Sequence, residues 1–184
     1  MTDRAVLVQQ VARLPFQGGD GGSIPTARLH FTPARASEVA PLLAARHYLG
    51  PVRSARYAFG GWVDDVLVAC QVYRQPTARH MNDPGRLELV RWCLTPEAGK
   101  NAGSRMMGWV VRWLRRNAPE VRELISYSDL TMHTGALYRA SGWAEWATHH
   151  AERFRVDGIG YASGHGSWDG KTIQAPKLRW RFEL

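Results

Sequence analysis

The feature that most constrains the fold is one strongly amphipathic segment at residues 102–117. Apolar side chains recur there every three or four positions, while the arginines lie mainly off this stripe. The stripe consists of Met106, Met107, Val110, Val111 and Leu114. Pro119 ends the pattern, because proline cannot continue a helix. A helix with one apolar stripe must bury it against another layer, so the neighbouring segments should supply that layer.

Those neighbouring segments have the composition of strands. We expect strands at 28–32, 56–63, 66–73, 86–94, 124–128 and 178–184, and further helices at about 37–46 and 131–141. Asp64 and Asp65 separate two apolar runs and predict a hairpin turn. The order of elements predicts an α/β (α+β) fold with helices packed on a mixed sheet.

Length and composition predict one domain preceded by an extension. The chain has 184 residues, and its glycine-rich stretch at 17–23 indicates a linker. We therefore expect an N-terminal extension at 1–27 and a single domain at 28–184. No apolar run reaches the ~20 residues of a membrane span, and the first residues lack the apolar centre of a secretion signal, which predicts a cytoplasmic protein without membrane contact. Cys70 and Cys93 have no C-x-x-C spacing and are expected to be buried free thiols.

The charge balance allows two interpretations. A net charge of +8, mostly from arginine, favours a polyanionic partner such as DNA, but a merely basic surface has the same composition. A late polar segment with cations and a tryptophan also has two interpretations: it either binds DNA, entering a groove or stacking on an extruded base, or is a hairpin tip without a task. Its candidate DNA-binding residues are Arg153, Arg155, His165, Trp168 and Lys171.

The loop before the amphipathic segment has a composition that suits a phosphate. Free N–H groups and the helix dipole favour an anion at a helix start, and a lysine and an arginine lie there as well. The candidate donor-binding residues are Lys100, Asn101, Gly103, Ser104 and Arg105. The spacing differs from G-x-x-x-x-G-K-[ST], which disfavours ATP and GTP. Either the loop holds a pyrophosphate or it is an ordinary helix start.

Several polar residues follow apolar elements and are candidates for catalysis. Asp129 ends a strand, where it either acts on an amine nucleophile or caps the next helix. Tyr138, inside the helix expected at 131–141, either protonates a leaving group or packs. His47 and Tyr48 end the first helix. If His47, Asp129 and His133 meet, they form a two-histidine, one-carboxylate metal site.

Two segments resemble the GNAT acyltransferase superfamily. The start of the amphipathic helix, 101–104, is similar to its acyl-CoA pyrophosphate loop, although it departs from the usual Q/R-x-x-G-x-G/A pattern. Residues 136–143 resemble its late helix, whose tyrosine often protonates the CoA thiolate, a role that falls here on Tyr138. The resemblance implies a mixed, mostly antiparallel sheet with helices on both faces, and acyl-CoA or a related small-molecule donor.

A closer resemblance is to the Mom family of bacteriophage DNA-modification proteins, which are GNAT-like. It rests on motifs at 46–50, 57–61, 88–92 and 125–129, continuing from 133 to 143. The family is associated with converting adenine in double-stranded DNA to an N6-carbamoylmethyl form that protects phage DNA from restriction. The resemblance implies that His47, Tyr48, Tyr57 and Asp129 are active-site residues, and that iron binds at or near His47 and Asp129.

Two other functions stay open at this point. One is an ordinary GNAT enzyme that acetylates a small amine or a protein, and the other is a non-catalytic DNA-binding anti-restriction protein. The DNA-modification hypothesis requires one spatial arrangement: the end of the first helix, at His47, and the end of the strand that carries Asp129 must face a common cleft.

Overall fold

The computed structural model describes residues 28–130, 133–156, 160–162 and 172–184. An eight-stranded sheet runs in the order β1-β2-β3-β4-β5-β8-β6-β7. The strands are β1 (His30–Ala34), β2 (Tyr57–Val63), β3 (Val66–Arg74), β4 (Arg86–Leu94), β5 (Glu123–Asp129), β6 (Ala144–Val156), β7 (Gly160–Ala162) and β8 (Thr172–Glu183). The helices are α1 (Ala36–Arg46), α2 (Ala102–Asn117) and α3 (Ala136–Ala140).

The sheet has a hydrophobic core on each face. The stripe of α2 is buried against one face, where Met106 and Leu114 join a cluster that includes Phe59. On the other face Leu42 and Leu43 of α1 join a second cluster with the strand residues Ala58, Trp62 and Val72. Alternate residues of β2 therefore point to opposite cores, as the period of a strand requires. The mixed sheet with helices on both faces confirms the predicted fold class.

The β2–β3 hairpin has the predicted turn. Asp64 and Asp65 both have positive φ, 48° and 66°, which is the geometry of a type I′ connection between twisted strands. The two cysteines face each other across the next strand pair, β3 and β4, and both are buried free thiols, as expected.

A split opens between β4 and β5, which run parallel while every other described strand pair is antiparallel. They pair from Arg86–Glu123 as far as Leu89–Ser126. Beyond that point β4 stays paired with β3 to Leu94, and β5 stays paired with β8 to Asp129. The carboxyl ends of the two strands therefore diverge, which is where open α/β sheets place their ligands.

An ionic contact joins the strands below the split. The carboxylate of Glu123, which is buried, accepts hydrogen bonds from Arg86 of β4 and Arg181 of β8. These bonds tie the two halves of the sheet together near the start of β5.

Three expected elements differ from the structure. The final strand, expected at 178–184, is longer and covers Thr172–Glu183. The first strand begins at His30 rather than at residue 28 and extends to Ala34. The prediction of a helix at 131–141 was wrong in its first part. Residues 133–135 are not helical, and α3 covers only Ala136–Ala140. Gly135, the residue before α3, has φ +77°, a left-handed conformation that turns the chain before the helix starts.

Within the described part of the chain, no helix combines the length and the apolar character that a membrane crossing needs.

Candidate active site

The split between β4 and β5 forms a cleft of about 420 Å³. Its walls come from the segment after α1, from the diverging ends of β4 and β5, and from the loop that leads into α3. The lining residues are His47, Tyr48, Leu49, Leu89, Val90, Trp92, Tyr127, Ser128, His133, Thr134, Gly135, Ala136, Leu137 and Tyr138. Four of the predicted site residues, His47, Tyr48, His133 and Tyr138, therefore lie around one cleft.

A hydrogen-bonded tyrosine lies where the two strands part. Ser126 Oγ donates to the carbonyl of Leu89 (2.8 Å), which ties β5 to β4 at their last paired position. The same Oγ lies 2.8 Å from the hydroxyl of Tyr138. Because the proton of Ser126 is committed to Leu89, the Tyr138 hydroxyl must donate to Ser126. Burial raises the pKa of Tyr138 to about 12, although its bond to Ser126 opposes the shift, so the hydroxyl is protonated at neutral pH.

Aromatic side chains hold the Tyr138 ring in place. Trp180 stacks on it with ring centroids 4.9 Å apart, and Trp92 and Trp143 each meet it edge-on at 5.5 Å. Gly135 makes this packing possible, because a Cβ at that position would overlap Cζ2 of Trp180. The indole of Trp180 is in turn fixed by a 2.8 Å bond to Ser128 Oγ.

Three rings form the opposite wall of the cleft. His47 stacks on Tyr48 (5.0 Å between centroids), and Tyr48 meets His133 at 5.5 Å. The Nδ1 atom of His47 accepts a bond from the backbone N–H of Leu49 (3.2 Å), which leaves the proton of the neutral ring on Nε2. Burial, together with the charges of Arg91 and His133, lowers the pKa of His47 to about 4, so the ring is neutral at physiological pH.

Arg91 positions this wall. Its Nε donates to the carbonyl of Gly50 (2.7 Å) and its Nη2 to that of Leu49 (3.2 Å), so one guanidinium of β4 holds the chain that follows α1. The planar donor fork of arginine suits two adjacent carbonyls, which an ammonium group would bind less specifically.

Asp129 is buried at the end of β5 and is not among the lining residues. Its main-chain carbonyl accepts a bond from the backbone N–H of His133 (2.8 Å), so it anchors the loop that carries His133 into the cleft. The end of α1 and the end of β5 thus face the same cleft, as the hypothesis requires, with His133 rather than Asp129 reaching it from the β5 side.

The predicted metal site is not assembled. Within the described ranges, no three His, Cys, Asp or Glu side chains come close enough to hold a metal ion, and His47, Asp129 and His133 do not form such a group. The bond to Leu49 also conflicts with ligation, because an Nε2 ligand carries its proton on Nδ1, where His47 accepts a hydrogen bond. The residues present therefore do not fit the iron that the resemblance implied.

The predicted donor loop lies beside the cleft, at the start of α2. Asn101 precedes the helix in a left-handed conformation without a side-chain cap, and the first turn contains no acidic residue. Gly103 packs against Leu137, which lines the cleft, so closely that a Cβ would overlap that side chain. Ser104 Oγ donates to the carbonyl of Asn101. Arg105 does not lie with Gly103: it lines a groove with Leu29, His30 and Phe31.

Tyr57 is not brought to the cleft, since it packs edge-on against Trp113 of α2 at 5.6 Å. Arg153 and Arg155 lie in β6, and their side chains are outside the described part of the structure. His165, Trp168 and Lys171 lie outside the described residues altogether.

The sequence analysis gave no role to several residues in or beside the cleft. Ser126, beside it, was one of the polar residues at the end of its strand and part of the motif at 125–129. Trp92 and Leu137, which line the cleft, were included only in the ranges 88–92 and 136–143. Their contribution depends on the parallel pairing of β4 with β5, which no local pattern specifies. The one signal was the position of these residues near the ends of strands that could meet at one sheet edge.

Comparison with solved structures identifies the architecture. A GNAT-family acetyltransferase from Streptococcus pneumoniae matches with a TM-score of 0.56 at 11% identity, over 85% of this chain and 99% of that one. A GNAT-family acetyltransferase from Elizabethkingia anophelis with acetyl-CoA bound matches at 0.56 and 13%, with the same coverage. The ribosomal-protein-S18-alanine N-acetyltransferase from Escherichia coli matches at 0.56 and 12%, over 84% of this chain and 93% of that one. The chain therefore has the GNAT acetyltransferase fold.

The family is shown by sequence. The model of the Mom protein family matches residues 28–175, and this chain belongs to that family. A comparison with curated proteins found no match.

Proposed function

We propose that this protein is a transferase that places either the carbamoylmethyl group that its family resemblance implies or an acyl-type group on the N6 amine of adenine in DNA. The observation that carries the proposal is the cleft between β4 and β5, where a protonated tyrosine hydroxyl lies opposite a wall of aromatic rings. Its volume of about 420 Å³ lies in the usual range of ligand pockets, ~300–1,000 Å³.

The aromatic wall is the proposed site of the adenine. A base in a duplex must leave the stack, which costs a few kcal/mol, and stacking on an aromatic side chain returns about 1–3 kcal/mol per base. Tyr48 and His47 offer flat ring faces for this purpose. The neutral His47 keeps an Nε2–H that can donate to a ring nitrogen of the base, and its lack of charge keeps the pocket favourable for an uncharged purine.

The start of α2 is the proposed donor site. Its uncapped N–H groups and the absence of acidic residues in the first turn favour an anionic group such as the pyrophosphate of CoA. Lys100 precedes the helix, and the contact of Gly103 with Leu137 joins this end of α2 to the cleft. The Elizabethkingia neighbour, which has the same fold, contains acetyl-CoA.

In the proposed step, the N6 lone pair forms a bond to the donor carbon while the bond from that carbon to the leaving group breaks. The Tyr138 hydroxyl exchanges its bond to Ser126 for one to the leaving group and transfers its proton there, and the nitrogen gives up a proton to a base. His133 and Asp129, at the end of β5, are the proposed acceptors of that proton, directly or through water. The net proton count is unchanged, because Tyr138 regains a proton when the base releases one.

The test is a mass measurement on DNA. The protein is expressed in bacteria, the DNA is digested to nucleosides, and the deoxyadenosine masses are compared with those from cells that express Tyr138→Phe at equal level. A heavier deoxyadenosine with the wild type alone is expected, and its mass increment identifies the transferred group. Unmodified adenine from abundant, folded wild-type protein would refute the proposal. DNA that is protected from restriction without any mass change would instead indicate a non-catalytic binder.

A further inference from the structure

A row of cations runs along the side of α2 that faces away from the cleft. Arg105, Arg112 and Arg116 are separated by seven and four residues, so they lie on one line of the helix, with Trp109 between them. Gly103, which faces Leu137 and the cleft, lies on the other side of the helix. α2 contains no acidic residue along its whole length.

These arginines have no acidic partners among the described residues. Arg28 and Arg56 near the same helix are paired, with Asp64 and Glu120, but no described ion pair involves Arg105, Arg112 or Arg116. Nη1 of Arg105 is also buried without a hydrogen-bond partner. The three guanidinium groups therefore leave positive charge on this side of α2, which an anionic partner can neutralise.

The row lies in a groove. Two depressions of about 500 and 200 Å³ adjoin each other along α2, and Trp109 and Arg112 line both. The start of β1, at Leu29 to Phe31, forms the far wall of the larger one. Arg116 lines the smaller one. The result is an elongated depression with cations along its length, which complements a linear polyanion rather than a compact anion.

We propose that this groove, lined by Arg105, Trp109, Arg112 and Arg116, binds the sugar–phosphate backbone of double-stranded DNA. The inference rests on the proposed function for the choice of DNA as the polyanion. The groove and the cleft have no lining residue in common, so the groove would bind the backbone away from the nucleotide that enters the cleft. From Arg105 to Arg116 the helix rises ~16 Å, which is long enough for its cations to contact more than one phosphate of a strand. The groove would bind the duplex independently of sequence.

The test is the salt dependence of DNA binding. The full-length protein is titrated into a fluorescein-labelled 20-base-pair duplex at several salt concentrations. The double variant Arg112→Gln/Arg116→Gln is compared with Arg79→Gln/Arg122→Gln, which removes the same charge at residues that do not line the groove. Each lost phosphate contact lowers the slope of log K against log salt by about 0.9. Raising the salt from 50 to 200 mM weakens DNA binding by both proteins. We expect the factor by which the affinity falls to be about tenfold smaller for the α2 variant than for the wild type. The control variant should keep the wild-type slope.

A wild-type slope in the α2 variant, or an equal decrease of the slope in both variants, would refute the proposal that the groove binds DNA. The outcome is separate from that of the proposed function. If the α2 pair controls the slope but adenine is never modified, the transfer proposal fails and the groove stands. If adenine is modified and the substitution of Arg112 and Arg116 does not change the slope, only the proposal that the groove binds DNA is refuted. Equal thermal midpoints for all variants show that the comparison is made between folded proteins.

Discussion

Tyr138 is the residue on which the proposed chemistry depends most directly. It is partly buried and packs against three tryptophan rings, it donates to Ser126, and its pKa of about 12 keeps it protonated. A protonated group of this kind can supply a proton to a departing anion, but it cannot act as a base at neutral pH. In the proposed step Tyr138 is therefore the acid, and the base lies at the end of β5.

Replacing Tyr138 by Phe tests this role. The ring packing survives, so we expect the variant to fold and to lose about 100- to 10,000-fold in transfer rate, the usual contribution of a general acid. The lost hydroxyl should cost only about 1 kcal/mol of unfolding free energy. Tyr57→Phe is the matched control, because Tyr57 packs against Trp113 outside the cleft. If the Tyr57→Phe variant were as slow as Tyr138→Phe, Tyr57 would also have a role in the reaction.

The lowered pKa of His47 predicts that the stability of the protein depends on pH. Its pKa of about 4 in the folded protein lies below the ordinary value of 6.5. Above pH 6.5 both folded and unfolded chains keep the ring neutral, so His47 has no effect on stability there. As the pH falls from 6.5 towards 4, the unfolded chain binds a proton that the folded protein refuses, and the free energy of unfolding decreases.

The decrease that belongs to His47 is measured by urea unfolding of the wild type and of His47→Gln at pH 7, 6 and 5. The variant should lose less stability on acidification, since glutamine does not titrate. The ring resonances of His47 in NMR spectra should titrate with a midpoint near 4. Parallel stability curves for the two proteins, or an ordinary midpoint, would show that the ring is not held neutral by its surroundings.

At the scale of elements, the loop between β5 and α3 shapes the cleft. Gly135 combines a left-handed φ of +77° with a backbone that touches the ring of Trp180. Both features need a residue without a Cβ. The same ring stacks on Tyr138, so this one glycine sets how α3 packs on β8 and where the hydroxyl of Tyr138 lies.

Two glycine substitutions should therefore have opposite signs. Gly135→Ala should destabilise the protein by about 2–4 kcal/mol, from the strained backbone and the overlap with Trp180. Gly108→Ala, inside α2, should stabilise it by about 0.5–1 kcal/mol, because alanine favours a helix and its Cβ would meet only Arg112 Nη1 at 3.5 Å. Chemical unfolding of both variants provides the comparison, and a neutral Gly135→Ala would mean that the loop adapts freely.

At the scale of the whole molecule, the sheet must stay joined at the start of β4 and β5 in order to part at their carboxyl ends. Glu123 makes that joint with Arg86 on one side and Arg181 on the other. Below the split the two strands pair for only four positions. The ionic contact therefore contributes more to holding β4 and β5 together than it would if the strands were paired along their whole length.

Glu123→Gln should lower the free energy of unfolding by about 1–3 kcal/mol, because the amide is uncharged and keeps only one acceptor oxygen, so one of the two arginines faces an NH2 donor. Glu183→Gln is the control: Glu183 also binds Arg181, but its side chain is 75% exposed, and such exposed pairs contribute less than about 1 kcal/mol. Urea midpoints at constant slope give both values. Equal effects of the two substitutions would show that the joint depends on backbone pairing instead.

Much of the fold follows from the sequence, because local patterns are strong where burial repeats along one element. The apolar stripe at Met106 to Leu114 required a helix on a sheet, the Asp64-Asp65 pair required a hairpin, and the family motifs pointed to His47, Tyr48 and Tyr138. Each of these features depends on residues that are close in the sequence. The expected helix before Gly135 failed because a left-handed residue next to Trp180, 45 positions away, interrupts it.

The tertiary structure alone decided how those pieces meet. The parallel pairing of β4 with β5, its end at Leu89 and Ser126, and the position of Arg105 on the far side of α2 are products of packing between distant segments. So are the bond that commits the proton of Tyr138 to Ser126 and the contact of Nδ1 of His47 that conflicts with a metal. A side-chain pattern repeats with the period of its own helix or strand, and it therefore carries no information about which distant strand will lie beside it or where the two will part.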